Sequence, residues 1–127
     1  MNKPTPSDAV AELVAAINQG DVAAATALYE EGASFVAQPG KMSVGTEALR
    51  EALAGLIALK PILTTLVHRT IQTGEVALYC GQWTLTGTAA DGRLVHMSGT
   101  SSDVLRQQSN GRWLVAIDNP WGPAILG

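Results

Sequence analysis

Residues 76–107, VALYCGQWTLTGTAADGRLVHMSGTSSDVLRQ, decide the fold. Val76 to Gly87 and Leu94 to Gln107 read as two long strands, and Asp91-Gly92 between them is a hairpin turn. The same grammar continues on both sides. Ile62 to Thr73 is rich in Thr, Val, Ile and Leu and ends at Gly74, which turns the chain into Val76. After Gln107, Asn110-Gly111 makes another hairpin turn, and Trp113 to Asn119 is the last strand. The second half of the chain is therefore predicted to be a four-strand antiparallel meander.

The first half carries helical spacing instead. Thr5-Pro6-Ser7-Asp8 opens a helix, with Thr5 as cap, Pro6 at the first helical position and Asp8 closing a variant capping box. Val10, Leu13, Val14 and Ile17 follow on one face, and Gly20 ends the helix. Asp21 caps a second helix with the stripe Val22, Ala25, Leu28 and Tyr29, which Gly32 stops. Ala33 to Ala37 is a short strand, and Gln38-Pro39-Gly40-Lys41 a loop. A third helix starts near Gly45-Thr46-Glu47, buries Leu49, Leu53, Leu56 and Ile57, and closes at Lys60-Pro61. Helices segregated from an antiparallel sheet define the α+β class. Sheet twist curls long strands joined by tight turns. The expected architecture is a cone: a strongly curved antiparallel sheet wrapped around three N-terminal helices, in one domain spanning residues 1–127.

Composition narrows the function classes. The chain has 127 residues, 46% hydrophobic and 15% charged, with a formal net charge of -3. Its eight Lys and Arg are scattered, so the clustered basic surface that nucleic acid requires is missing, as is a basic membrane-binding helix. Cys80 is the single cysteine, which excludes an internal disulfide and a paired-cysteine metal site. That usage, with no long apolar segment and cleavage site near Met1, fits a cytoplasmic protein.

Side chains alternate along a strand, so faces can be assigned. In the strand from Leu94, the more apolar face carries Val95, Met97, Gly99, Ser101, Asp103 and Leu105, and is expected on the concave side. In the preceding strand, Ala77, Tyr79, Gly81, Trp83 and Leu85 share the larger, more aromatic face. In the last strand, regular pleating groups Trp113, Val115, Ile117 and Asn119, reaching toward Trp121. The expected pocket holds Tyr79, Trp83, Met97, Asp103 and Asn119, with Trp121 at the rim and Phe35 and Gln38 at the mouth. A greasy chamber with few polar groups suits a small apolar or aromatic ligand.

Several phrases, in order, resemble the nuclear-transport-factor-2-like superfamily, in particular its SnoaL-like branch. They are Asn18-Gln19-Gly20-Asp21, Leu28-Tyr29, Gly45-Thr46-Glu47-Ala48-Leu49-Arg50, Asp103-Val104-Leu105-Arg106, Gly111-Arg112-Trp113 and Asp118-Asn119-Pro120-Trp121-Gly122. The resemblance covers nearly the whole chain. It implies the cone fold and a common tendency to dimerise, and it places Asp103 where ketosteroid isomerases keep a protonated, hydrogen-bond-donating Asp. The other isomerase positions differ. The resemblance puts Leu13 in place of the oxyanion-binding Tyr, and Ala37 and Gln38 where the general base would stand. Steroid isomerisation by that mechanism is therefore not expected.

Each remaining candidate has a plain alternative. Asp103 is either a desolvated acid in the pocket or a structural Asp paired with Arg or backbone N–H. Asp118 either serves as a base at the pocket rim or ends a strand in an Asp-Asn-Pro turn, and the turn is the preferred reading. His68 and His96 read as solvated or interface residues, Cys80 as packing, Trp113 as core. Two functions compete: a cofactor-independent, metal-free acid–base enzyme or binder of a small apolar molecule, anchored by Asp103; and a non-catalytic homodimeric module with a filled pocket. In both, the outer sheet face, neutral at Thr84, Ser98, Thr100 and Ser102, pairs two subunits.

Overall fold

The computed structural model describes residues 3–127, so Met1 and Asn2 of the expected 1–127 domain lie outside the described residues. Helix α1 spans Pro6–Gln19. The Thr5 hydroxyl accepts from the Asp8 N–H, and the Asp8 carboxylate accepts from the Thr5 N–H, so the box predicted from sequence closes both ways. Gly20 ends the helix in the left-handed region at φ 75°, a conformation that glycine adopts without a Cβ penalty. Ala9, Leu13, Ala16 and Ile17 form its buried face. Helix α3 spans Thr46–Ile57 and buries Leu49 and Leu53.

The second helix is much shorter than its stripe suggests. Helix α2 covers only Val22–Thr26, and Leu28 and Tyr29 leave it for the sheet. Strand β1 runs Tyr29–Gln38, with Gly32 inside it at φ 80° rather than at a helix end. The Leu28 carbonyl accepts the Val115 N–H at 2.8 Å, and Tyr29 is registered with Val115. Tertiary strand pairing thus captures a segment whose local pattern is helical. Pro39-Gly40 is a hairpin turn into an additional strand, β2, Lys41–Val44, which sequence reading left unassigned.

Strands β3 (Ile62–Thr73), β4 (Val76–Thr88), β5 (Leu94–Gln107) and β6 (Trp113–Asp118) form the expected meander. The six strands lie in the order β2-β1-β6-β5-β4-β3 in one curved, unclosed sheet. Every pair is antiparallel except β1 with β6, which is parallel. Helix α1 packs against β3, β4 and β6, and α3 packs against β1 and β2. The core lies between these helices and the sheet and includes Leu13, Ile17, Phe35, Leu53, Leu105, Trp113 and Val115. A short 3-10 helix, Gly122–Leu126, follows β6 and packs on β5. No helix among the described residues is long and apolar enough to cross a membrane.

One irregularity matters more than the rest. On β6, Ile117 is registered with Val104, and Val115 with Leu105, leaving Ala116 as an extra residue. This bulge reverses the alternation. Val115 is 1% exposed on the inner face, whereas Ile117 is 43% exposed on the outer one. The grouping of Ile117 with Trp113 and Val115, expected from regular pleating, is therefore corrected, and Asp118 takes the inward position.

Candidate functional site

Between the helices and the concave sheet face lies a cavity of about 300 Å³. Helices α1 and α3 supply an aliphatic wall that includes Val10, Leu13, Val14 and Leu56. Phe35, Gln38, Tyr79, Trp83, Met97, Asp103 and Trp121 all line it. Two glycines make room for the aromatic lining. A Cβ on Gly81 would stand 2.8 Å from the Tyr79 ring, and one on Gly99 would stand 3.0 Å from the Trp83 ring.

Asn119 takes a different part from the one expected. It is buried behind the wall rather than in it. Its N–H donates to Asp103 Oδ1 at 2.8 Å, its side-chain amide donates to the Gly122 carbonyl at 3.1 Å, and its Oδ1 accepts from the Trp121 N–H at 3.3 Å. Asn119 braces the acid and the turn that follows it. The bulge sends the Asp118 side chain to the cavity and leaves this backbone donor for Asp103.

Two residues join the site that sequence reading did not place there. Asp118, preferred as a turn former, lines the cavity beside Asp103, and Tyr29, assigned to a helix stripe, donates its hydroxyl to Asp118. Asp103 is 8% exposed. Burial pushes its carboxyl well above the usual carboxylate range, and the neighbouring Asp118 charge pushes it further. The Asn119 N–H and the Ser101 hydroxyl act in the opposite direction. Burial also raises Asp118, against hydrogen bonds from Tyr29 and Asp103 that favour its ionised form. Both carboxyl groups are raised and they titrate together, so the pair holds protons to higher pH than free carboxyl groups do. Burial and the Asp118 charge hold Tyr29 protonated as a donor.

The tryptophans are fixed at the rim. Trp83 Nε1–H donates to the Pro120 carbonyl at 2.7 Å, and Trp121 Nε1–H donates to the Ala37 carbonyl at 3.1 Å. Their rings meet edge to face with centroids 5.4 Å apart. His68 stacks on Tyr79 with centroids 5.3 Å apart, a contact that follows from a register shift between Thr65 and His68 on β3. His96 is registered with Thr86, on the opposite face from Asp103. Cys80 is registered with Ser102 on that outer face and is half-buried. Among the described residues, no three His, Cys, Asp or Glu side chains are grouped to hold a metal ion.

The model of the SnoaL-like domain family matches residues 10–115. The chain belongs to that family. Its SnoaL-like fold recurs in solved structures. A nuclear transport factor 2-like superfamily protein from Salmonella enterica is 20% identical, with TM-score 0.81 over 94% of this chain and 89% of the other. A protein of unknown function from Mycobacterium tuberculosis is 25% identical, with TM-score 0.75 over 88% of this chain and 70% of the other. A ketosteroid isomerase-like protein from Erwinia carotovora atroseptica is 20% identical, with TM-score 0.75 over 88% of each chain. No curated protein matches the sequence. In this SnoaL-like domain the helices supply apolar surface to the cavity, and the sheet supplies both of its carboxyl groups.

Proposed function

We propose that this SnoaL-like domain binds a small apolar molecule in its cavity and performs cofactor-independent acid–base chemistry on it. The reaction belongs to the isomerase, dehydratase, cyclase or hydrolase type. The observation that carries the reading is the Asp103–Asp118 pair opening into an apolar cavity. In this reading the raised pair shares one proton, so donor and acceptor stand side by side in one low-dielectric site. Asp118 would take a proton from the substrate, and Asp103 would return its own to another substrate atom. Tyr29 holds Asp118 in place, and the Asn119 N–H holds Asp103. Gln38 cannot take a proton, which argues against steroid isomerisation through a base at that position.

A thermal-shift screen of small aromatic, terpenoid and steroid-like compounds tests this, followed by turnover assays on the hits. A ligand at a hundred times its dissociation constant adds about 2.7 kcal/mol of stability, roughly a 5 °C shift for a domain of this size. Turnover lost in Asp103→Asn and in Asp118→Asn, with binding retained, supports the reading. Turnover undiminished in both variants overturns it.

We further propose that a second copy of the chain covers the outer sheet face. Ile71, Leu78, Val104 and Ile117 are registered in a row across β3, β4, β5 and β6. Ile71 is 66% exposed and Leu78 38%. Four strands of this length present about 20 Å by 40 Å, roughly 800 Å² per partner, which matches a standard stable interface. Leu78→Glu should turn a dimer into a monomer in sedimentation analysis, and a wild-type chain monomeric at high concentration would refute the idea. A purely structural module would have a filled pocket, whereas the cavity here is about 300 Å³. The single cysteine supports a reducing, cytoplasmic location.

A further inference from the structure

The cavity has a sign, and this inference rests on its being the ligand site. Among its described lining residues Asp103 and Asp118 are the only acidic side chains, and there is no Lys, Arg or His. Three of the eight basic side chains are engaged elsewhere: Arg50 pairs with Glu47, Arg106 with Glu30, and Arg69 donates to the His68 carbonyl. From α1 and α3 the surfaces facing the carboxyl pair are aliphatic; from the sheet come Tyr29, Tyr79 and Ser101. A buried carboxyl pair with no cation beside it is costly unless it is protonated or an incoming group supplies the charge.

Gln38, Thr65 and Gln82 add neutral polar groups to the lining, and its aromatic residues favour a cation. Both indole N–H groups are committed to backbone carbonyls, so Trp83 and Trp121 offer a ligand carbon and π surface rather than hydrogen bonds. Tyr29 donates its hydroxyl to Asp118, and Ser101 Oγ accepts from the Gly81 N–H. Carboxylates and aromatic faces both attract positive charge. At about 300 Å³ the chamber lies at the small end of ligand pockets.

We propose that the cavity selects small apolar amines, bound as ammonium ions. The nitrogen sits on the Asp103–Asp118 pair, and the hydrocarbon body lies along Leu56, Met97 and Trp83. The entering ammonium replaces the proton that the two carboxyl groups share. Both then ionise, and that proton leaves to solvent. An anionic ligand meets only like charge.

The probes are aminoindane, indanol and indane carboxylate, which share one ring system and differ in charge. Calorimetric titration in two buffers of different ionisation enthalpy reads affinity and proton release together. With the wild-type chain, aminoindane should bind at least about tenfold more tightly than indanol, the scale of one charge-assisted hydrogen bond, and should release a proton. Indanol should bind without release, and the carboxylate should not bind. In Asp118→Asn the amine preference over indanol should vanish; Asp103→Asn, which keeps the hydrogen bonds of a protonated Asp, serves as the second variant and should abolish proton release. Indanol binding as tightly as aminoindane, or an amine preference undiminished in both variants, overturns the proposal but leaves the cavity as a ligand site. Failure of all three probes overturns the ligand-site reading as well.

Discussion

Asp103 and Asp118 stand opposite each other one step beyond the last registered pair of β5 and β6, Val104 with Ile117. Had Ala116 paired in the ladder with no bulge, the spacing set by Leu105 and Val115 would bring Ile117, not Asp118, opposite Asp103. Like charges directly across two strands repel. Tyr29 and Asn119 are bonded at either side of the pair, and burial raises both carboxyl groups.

Stability should depend on the protons this pair holds. The folded-state pKa values of Asp103 and Asp118 are both raised. The folded chain therefore holds protons at pH values where the unfolded chain has released them. Their contribution is fully present below about pH 4, near the unfolded carboxyl value, and is lost as pH rises through the folded titration. Thermal melts across pH 4 to 9 should show a fall from this source in wild type and a smaller fall in Asp103→Asn. Equal pH profiles would show that Asp103 is ionised in the folded chain.

Tyr29→Phe removes the donor that favours ionised Asp118. The variant should lose about 1–2 kcal/mol in denaturant unfolding, because a buried acceptor loses its partner. The pH at which the carboxyl pair titrates, followed by NMR of the carboxyl carbons, should move upward. An unchanged titration would assign Tyr29 to packing alone.

Asn18 gives physical content to the Asn18-Gln19-Gly20-Asp21 phrase. Its amide donates to the Leu63 carbonyl at 2.9 Å, and its Oδ1 accepts from the Leu63 N–H at 2.7 Å, clamping the end of α1 to edge strand β3. Leu63 also lines the cavity. Asn18→Ala should cost about 1–2 kcal/mol and speed amide exchange at Leu63, since both bonds are lost. Exchange at wild-type rates would show that packing alone holds this edge.

Gly81→Ala places a methyl against the Tyr79 ring. The ring must shift, at a cost of about 1–3 kcal/mol for overpacking. The His68 ring protons, shielded by the Tyr79 stack, should move in the NMR spectrum. Unmoved His68 signals would show that the strand yields instead of the ring.

Much of this could be read from residue types alone. The alternation of β4 and β5 put Tyr79, Trp83, Met97 and Asp103 on one face because these strands pair without a bulge over thirteen consecutive positions. The caps at Thr5 and Asp21 were equally legible, since each is a local hydrogen bond within four residues. Asp118 and Tyr29 were not legible. The place of Asp118 depends on one extra residue in β6, which no local pattern marks, and a one-residue change flips every side chain beyond it. Tyr29 sits on a helical stripe in sequence and becomes a strand residue only because β6 offers its backbone a parallel partner. The sequence by itself determined the helices' apolar faces, the meander and one of the two acids, because those follow from periodicity and short-range bonds. Only the tertiary structure decided that the second acid, its tyrosine and the apolar wall meet around one cavity, because that requires strands distant in the chain to pair in a particular register.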